Sequence, residues 1–449
     1  MKKNCIKSIL ITLLLAGSFT AWAHLLNTFA GKGVGGYSGD GGQSNNAEIF
    51  YPYSVTVDKA GNVYIADGLN YRIRKVTTSG IISTYAGNGV NGYTGDGGPA
   101  IAAEFANPCA ITFDTKGNIY FSTFNNTVRK VNTSGIISTL AGNGSQGFSG
   151  DGGQATNAEF HIPYGLKLDT LGNVYIADES NNRIRIVSTS GIINTFAGNG
   201  FLPGGFSGDG GQATAAELYY PLDVAFDVAG NVYITDQKNQ RIRMVNSNGI
   251  INTIAGNGFG GYAGDGGNAM NAEFYYPYGI TLDASDNIYI ADTYNYVIRE
   301  INTSGIINTI AGNNIASYSG DAGQATLAEL NQPMGIELDA SGNLYFADYF
   351  NNRVRTIGSI TTGNTTVSSF PFELNIYPSP TSGSFTLNGI SKGQTIELYN
   401  YLGQKVLSTI SYQPSVNINI STMPDGIYLI KIQNKDGSVF AAKKFVKTE

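Results

Sequence analysis

The feature that most constrains this chain is a repeat of about 56 residues that occurs six times in succession. Each copy contains an Ala-Gly pair, and the intervals between successive pairs are 56, 55, 56, 58 and 56 residues. A fixed period indicates an array of similar units, such as a propeller or a solenoid, in which each unit buries its apolar face against its neighbours. The six pairs begin at Ala30, Ala86, Ala141, Ala197, Ala255 and Ala311.

Each copy also has the same internal order. A glycine-rich loop with one aspartate is followed by an Ala-Glu pair, a proline and four short runs of β-branched and aromatic residues. In the fifth copy these runs are 278–283, 287–292, 297–301 and 305–310. Such runs, separated by turn residues, indicate four antiparallel strands. Six four-stranded units without helical periodicity predict an all-β fold, a six-bladed β-propeller. A solenoid is less consistent, because the strands form hairpins and the terminal units lack polar caps.

Three motifs recur within the strands. In the third copy they are Pro163–Asp169, Gly172–Asp178 and Asn181–Arg185. Through these motifs the chain resembles the NHL repeat family over about residues 25–358, which implies a β-propeller of NHL type. The second copy departs from the pattern, because Thr123 replaces an aspartate and Thr127 replaces the first arginine. We expect the contacts inside that blade to differ from those inside the others.

The two ends of the repeat array are complementary. The sixth copy ends after its third strand, near residues 354–357, whereas residues 25–29 match the pattern of a fourth strand. We therefore expect the N-terminal segment to complete the last blade. Closing the ring in this way removes the exposed edges of an open stack.

The N-terminus has the pattern of a secretory signal peptide. Lysines at positions 2, 3 and 7 precede an apolar stretch at 9–16, and Ala21–Ala23 forms an A-x-A cleavage site. The apolar stretch is too short for a membrane span, so we expect no integral span in the mature chain. The predicted organisation is a signal peptide at 1–23, the propeller at 24–358, a linker at 359–370 and a small C-terminal β-sandwich at 371–449.

The C-terminal region contains about seven short strand patterns, which fit a small sandwich. Its pieces Tyr377–Pro380, Tyr401–Val406, Met423–Tyr428 and Lys443–Lys447 resemble the C-terminal sorting domain of type IX secretion. The resemblance implies that the type IX machinery is a partner. It also implies that the chain, exported through the inner membrane by its signal peptide, reaches the outer-membrane surface or the extracellular space. An ordinary adhesive sandwich domain is the alternative.

Composition narrows the classes of partner and chemistry. The net charge is −6 without basic clusters, which argues against nucleic acid. Only two histidines occur, His24 and His161, so a histidine-ligated zinc site and a Ser-His-Asp arrangement both lack residues. The glycine-rich loops do not match a phosphate-binding motif, because no lysine follows at the required place. We therefore expect no cofactor and no catalytic residues, with calcium at the loop aspartates as the alternative.

Charged residues that recur in every copy are expected to be architectural. An arginine on the third strand would be buried between blades, and it needs a partner because an unpaired buried charge is costly. Aspartates at the end of the second strand, such as Asp67 and Asp178, are the expected partners. The loop aspartates are expected to bond the backbone of their own turns. The structural positions are Asp40, Asp96, Asp151, Asp209, Asp265 and Asp321, with Arg74, Arg129, Arg185, Arg243, Arg299 and Arg355.

Function is better sought in what differs between copies. Strand alternation places the long crossings and the loops between second and third strands on one face, here called the loop face, and only short turns on the other. Function usually resides on elaborate loops. Tyrosines beside the prolines lie at the inner rim of the loop face, and their rings suit a glycan or a peptide. The candidate ligand-binding residues are Tyr51, Tyr53, Tyr164, Tyr219, Tyr220, Tyr276 and Tyr278.

The predicted function is an exported, non-enzymatic scaffold that binds protein or carbohydrate through the loop face. The alternative is a metal-dependent, lactonase-like hydrolase or lyase with its site in the axial channel. A structural surface component without a discrete ligand is a third possibility. Lys167, Asp223 and Glu337 occur once each near the same level of the innermost strands, and they are candidates for a polar floor in the channel.

Overall fold

The computed structural model describes residues 25–358 and, in the C-terminal region, 375–377, 383–388, 390–400, 405–413, 415–424, 426–433 and 439–447. The predicted signal peptide at 1–23 and the predicted linker at 359–370 lie outside these residues. Two compact units are separated between Ile360 and Thr361. The first is a propeller and the second is a small β-sandwich, in agreement with the predicted fold class.

The propeller is built from short strands that begin and end where the repeat pattern predicts. The strands are β1 (Leu25–Ala30), β2 (Pro52–Val57), β3 (Val63–Asp67), β4 (Arg72–Val76), β5 (Ile82–Ala86), β6 (Pro108–Phe113), β7 (Ile119–Thr123), β8 (Thr127–Val131), β9 (Ile137–Ala141), β10 (Pro163–Leu168), β11 (Val174–Asp178), β12 (Arg183–Val187), β13 (Ile193–Ala197), β14 (Gly211–Gln212), β15 (Pro221–Phe226), β16 (Val232–Asp236), β17 (Arg241–Val245), β18 (Ile250–Ala255), β19 (Pro277–Leu282), β20 (Ile288–Asp292), β21 (Val297–Ile301), β22 (Ile307–Ala311), β23 (Gly323–Gln324), β24 (Pro333–Leu338), β25 (Leu344–Asp348) and β26 (Arg353–Gly358).

Each blade is an antiparallel sheet built on four main strands, which are consecutive in sequence in the first five blades. The two-residue strands β14 and β23 add a fifth strand to the sheets of the fourth and sixth blades. The innermost strands are β2, β6, β10, β15, β19 and β24, and they pack against one another in a ring in which β24 also contacts β2. Every innermost strand begins at the repeat proline, where the absence of an N–H costs no ladder hydrogen bond. The six sheets therefore surround one axis, as predicted for a six-bladed propeller.

Single turns of 3-10 helix occupy two recurring places on the loop face. In the crossings they are Ser44–Asn46, Ala100–Ala102, Ala155–Asn157, Ala213–Ala215, Ala269–Asn271 and Ala325–Leu327. Between second and third strands they are Gly68–Asn70, Glu179–Asn181, Gln237–Asn239, Thr293–Asn295 and Tyr349–Asn351. Both sets join strands at the loop face and so determine which side chains reach it.

The ring closes through β1, and the closure prediction is confirmed. Strand β1 pairs antiparallel with β26, with Leu25 opposite Gly358 and Thr28 opposite Arg355. Leu26 is fully buried in the core of the last blade. The outermost strand of the sixth blade thus comes from the opposite end of the propeller sequence.

The Ala-Gly pair that marks the repeat has a packing origin. Ala86 is fully buried, and Gly87 follows it with a φ of +91°. A Cβ at Gly87 would lie 2.3 Å from the carbonyl oxygen of Tyr71, so only glycine fits. The pair ends each outermost strand and turns the chain into the crossing.

The second unit has two sheets that share one core. Its strands are β27 (Asn375–Tyr377), β28 (Ser384–Asn388), β29 (Thr395–Asn400), β30 (Lys405–Ile410), β31 (Ser415–Asn419), β32 (Gly426–Gln433) and β33 (Val439–Lys447). They are ordered β27-β28-β31 in one sheet and β30-β29-β32-β33 in the other. Phe385 and Ile418 from the first sheet pack with Leu398 and Ile430 from the second. This arrangement is the predicted sandwich.

Candidate functional site

A buried arginine organises the loop-face end of each blade. In the first blade, Arg74 Nη1 lies 3.1 Å from Asp67 Oδ2, and its Nη2 lies 2.5 Å from Asp40 Oδ1. The arginine is fully buried in all six blades. The predicted partner on the second strand is present in five of them. Each guanidinium is therefore paired through its Nη atoms from within its own blade, while its Nε has no hydrogen-bond partner among the described residues. Full burial keeps it from contact with a ligand.

The loop aspartates have a different partner from the one expected. Asp40 does not serve mainly its own turn, because its carboxylate accepts from Arg74 and from the backbone N–H and hydroxyl of Thr84. An aspartate–arginine ion pair of this kind recurs in all six blades. A buried guanidinium requires more than one acceptor, and the crossing supplies the second. Within the described residues, no group of three or more His, Cys, Asp or Glu side chains is placed to hold a metal ion.

The same network fixes the segment that precedes each proline. Asp67 accepts a hydrogen bond of 2.7 Å from the backbone N–H of Phe50. The next residue, Tyr51, has a φ of 51°, and its N–H donates to Asn352 Oδ1 of the neighbouring blade at 2.9 Å. A left-handed conformation before a proline is disfavoured by roughly 1–3 kcal/mol, so the surrounding contacts must impose it. Tyr220 and Tyr276 are held in the same way.

These tyrosines belong to a band of aromatic side chains on the loop face, which we call the aromatic arc. Tyr51 stacks on Tyr349 with 4.7 Å between ring centroids, and Tyr276 packs against Tyr294 at 5.1 Å. In the fourth blade, Lys238 Nζ lies 3.9 Å from the centroid of Tyr220. The arc comprises Phe50, Tyr51, Tyr219, Tyr220, Tyr275, Tyr276, Tyr294, Tyr349 and Phe350.

Four of the seven predicted tyrosines lie in the arc, and the other three lie beneath it. Tyr53 and Tyr278 are only 6% exposed. The ring of Tyr164 makes edge-on contacts with Tyr53, Tyr278 and Phe124. These rings close the loop-face end of the axis. A ligand on this face would therefore meet the arc first, with Tyr53, Tyr164 and Tyr278 as its floor. Their role in binding remains a prediction.

The axial channel below this floor is narrow and polar. Lys167 Nζ and Glu337 Oε2 meet across the axis at 2.5 Å, and the two oxygens of Asp223 accept from the N–H groups of Val224 and Ile280. Burial raises the pKa of Asp223 to about 7, although Lys167 acts in the opposite direction. The predicted polar floor is thus present. The cavity here is about 20 Å³, room for a single water.

The loops between second and third strands contribute exposed residues that were not among the predicted site residues. Tyr294 and Phe350 are 40% and 41% exposed and complete the arc. Glu179 lies in the corresponding loop of the third blade, where burial raises its pKa to about 7 and Ser180 and Lys238 lower it. The signal was available, because these loop positions differ in every copy while the flanking aspartate and asparagine recur.

The opposite face also differs from expectation. It was predicted to offer little to a ligand, yet a cavity of about 500 Å³ opens there between the second and third blades. Its rim is formed by the short turns at Asp114–Asn118 and Asp169–Gly172. Short turns do not prevent a cavity, because the volume depends on the side chains between the blades.

The fold and its arginine network define a six-bladed propeller of the NHL type joined to a small β-sandwich. Comparison with known families agrees. Overlapping segments 35–93, 88–149, 144–204, 202–259 and 260–319 match the Teneurin NHL domain, and the chain belongs to this family of NHL-repeat proteins. Residues 375–448 match the Secretion system C-terminal sorting domain, which directs export by type IX secretion to the cell surface or the extracellular space.

Individual relatives share the propeller but differ in length. Teneurin-4 of Mus musculus is 26% identical over 439 residues, which cover 89% of this chain and 16% of teneurin-4. NHL repeat-containing protein 2 of Gallus gallus is 26% identical over 352 residues, covering 69% of this chain and 46% of that protein. The chain therefore spans about a sixth of the length of teneurin-4 and about half of the length of NHL repeat-containing protein 2.

A solved structure confirms the fold independently. The auxiliary nutrient binding protein from Bacteroides thetaiotaomicron superposes with a TM-score of 0.55 at 15% identity, covering 75% of this chain and 76% of that one. At this identity the likeness concerns the fold alone. In the part of the chain that the structure describes, no helix has the length and apolar character needed to cross a membrane.

Proposed function

We propose that this protein is a non-enzymatic binding scaffold, displayed on the cell surface or released, that recognises protein or carbohydrate through the aromatic arc. The observation that carries the proposal is the set of mutually packed, partly exposed rings beside the prolines and in the neighbouring loops of the fifth and sixth blades on the loop face. Tyr275, Tyr294 and Phe350 are each about two-fifths exposed although each packs against another ring. Tyrosine offers a flat apolar surface with a polar tip, which suits both classes of ligand.

The arc is organised before any ligand arrives. Its rings are held by mutual stacking and by backbone positions that neighbouring blades clamp through Asn182, Gln240 and Asn352. Ordering side chains on binding costs about 0.5–1.5 kcal/mol for each immobilised side chain, and rings that are already fixed avoid most of this cost. A rigid aromatic surface of this kind supports binding more directly than chemistry. The description of a similarly folded structure as an auxiliary nutrient binding protein is consistent with such a role.

The proposal is tested by binding of the full mature chain to an array of neutral polysaccharides and to an array of surface-protein peptides. For any bound probe, the double variant Tyr276→Ala/Tyr294→Ala should weaken binding at least about tenfold, or about 1.4 kcal/mol. The matched controls Lys59→Ala and Asp286→Ala change exposed turns on the opposite face and should alter affinity less than about twofold. If the control variants lose binding and the arc variant retains it, the ligand binds the face opposite the loop face and the proposal is wrong.

A further inference from the structure

The cavity between the second and third blades has the size of a small-ligand site. Its volume of about 500 Å³ lies within the range of about 300–1,000 Å³ that such sites occupy. Tyr120 and Leu140 form the wall on the second blade, and Leu168, Val174 and Val187 form the wall on the third. The cavity lies on the face opposite the aromatic arc.

The neighbouring gaps show why space is left here. Between the first and second blades, Tyr64 packs edge-on against Tyr85 and Phe113 at 5.1 and 4.9 Å. Tyr175 makes the same two contacts with Phe196 and Phe226 between the third and fourth blades. In the gap between them, the equivalents of these paired rings are Leu140 and Leu168. Two leucines fill less of this gap than the paired aromatic rings fill of the two adjacent gaps. Aliphatic pairs also occur at these positions farther around the ring, as Ile254 with Leu282 and Ile310 with Leu338, where they pack against the core.

The gap between the second and third blades also carries positive charge. Lys130 follows the buried arginine of the third strand, at a position where the other blades have Lys75, Ile186, Met244, Glu300 and Thr356. A second lysine, Lys116, stands at the rim. Among the six gaps of the described ring, only this one combines a lysine at the third-strand position with two leucine walls. Neither Lys116 nor Lys130 forms a salt bridge within residues 25–358.

The remaining polar groups fall into two kinds. Asp114 and Asp169 accept from their own turns, as when Asp114 binds the N–H and side-chain amide of Asn118, and this turn recurs in the other blades. Both carboxylates stabilise their turns, and each has further lone pairs that can accept a hydrogen bond from a hydroxyl group. Thr115, Thr170 and Thr189 are exposed at the rim and can both donate and accept.

We propose that this cavity is a second binding site, and that its ligand is a small hydroxylated carboxylate of the uronic acid class. Lys116 and Lys130 would bind the carboxylate by charge-assisted hydrogen bonds, which are stronger than neutral ones. The half-buried side chains of Leu140 and Leu168 would cover the apolar face of the sugar ring. Threonine hydroxyls and turn carboxylates would bind its hydroxyl groups. The site does not depend on the ligand of the aromatic arc.

The test is isothermal titration of the full mature chain with galacturonate and glucuronate, and with galactose and glucose as neutral counterparts. At least one acid should bind, and its neutral counterpart should bind at least about tenfold more weakly. Lys116→Gln/Lys130→Gln should weaken binding of the acid by at least about tenfold, because both cations are lost. Leu140→Tyr/Leu168→Phe introduces the residues found at the equivalent positions between the first and second blades, Tyr85 and Phe113. The two rings should fill the cavity and abolish binding.

Matched controls separate this site from others. Lys75→Gln removes the lysine at the equivalent third-strand position of the filled gap and should change affinity for the acid less than twofold. Tyr276→Ala/Tyr294→Ala, which tests the arc, should leave it unchanged. Equal binding of acid and neutral sugar, absence of binding to both acids, or an unaffected Lys116→Gln/Lys130→Gln variant would each overturn the proposal. The lysine variant decides the matter if the cavity-filling variant does not fold.

Discussion

The first and second blades share one repeat but satisfy their buried arginine differently. Arg74 has two carboxylate partners, Asp67 and Asp40, whereas Arg129 has only Asp96 because Thr123 stands in place of the second aspartate. Thr123 bonds Asn125 and Thr127 instead. The comparison teaches that one ion pair from the crossing is the minimum for a blade. The second aspartate adds a link to the segment before the proline.

The largest effect is expected where one blade borrows a strand. Deleting residues 24–31 removes β1 from the sixth blade. The deletion should lower the free energy of unfolding by several kcal/mol, because the buried surface of a whole strand is lost. Within β1, Leu26→Ala should cost about 2–5 kcal/mol since Leu26 is fully buried. Leu25→Ala, at an exposed position, should cost less than about 0.5 kcal/mol in the same denaturation experiment. Unchanged stability of the deletion variant would refute the closure.

A smaller loss should follow from making the first blade resemble the second. Asp67→Thr removes one of the two carboxylates beside Arg74 and should lower the free energy of unfolding by about 3 kcal/mol, since breaking a buried pair leaves its charge less compensated. Asp286→Asn, on an exposed turn, is the control and should change it by less than about 0.5 kcal/mol. Chemical denaturation measures both. A cost below about 1 kcal/mol for Asp67→Thr would mean that the crossing aspartate alone suffices in every blade.

The third prediction concerns pH and the axial aspartate, and the expected change between neighbouring pH units is only about 1.4 kcal/mol. The pKa of Asp223 is raised by burial from 3.8 to about 7, so the folded protein holds a proton there that the unfolded chain has already released. Relative to Asp223→Asn, the wild-type free energy of unfolding should therefore fall as pH rises from about 4 to about 7, by about 1.4 kcal/mol per unit, and level off above. Denaturation at pH 5, 6, 7 and 8 measures the difference. Parallel curves for the two proteins would exclude this titration.

Much of the fold was predictable because the repeat constrains strands that are close in sequence. The blades, the ring closure and the pairing of Arg74 with Asp67 involve patterns visible in each copy. The pairing of Arg74 with Asp40 was missed because the residues are 34 positions apart, and their contact depends on the path of the crossing.

The candidate sites were less predictable for a related reason. Tyr51 and Tyr53 are two residues apart, yet one lies in the arc and the other lies in the floor, since the chain enters the strand between them. The cavity depends on Tyr120, Leu140 and Leu168, which come from two blades. Comparing these positions across the six copies reveals the missing rings, but only once the structure shows that they meet.

The pairing of Leu25 with Gly358 has a kinetic consequence. These two residues are at opposite ends of the propeller sequence, so the last blade can form only after all six repeats have been made. Contacts between such distant residues are slow to form because a long loop must close first. Until then β26 presents an unpaired strand edge, which is a template for intermolecular association. This protein is therefore most exposed to aggregation between the synthesis of residue 358 and the pairing of β1 with β26. A high local concentration of incomplete propellers would increase aggregation, because more unpaired strand edges would then be available to pair with one another.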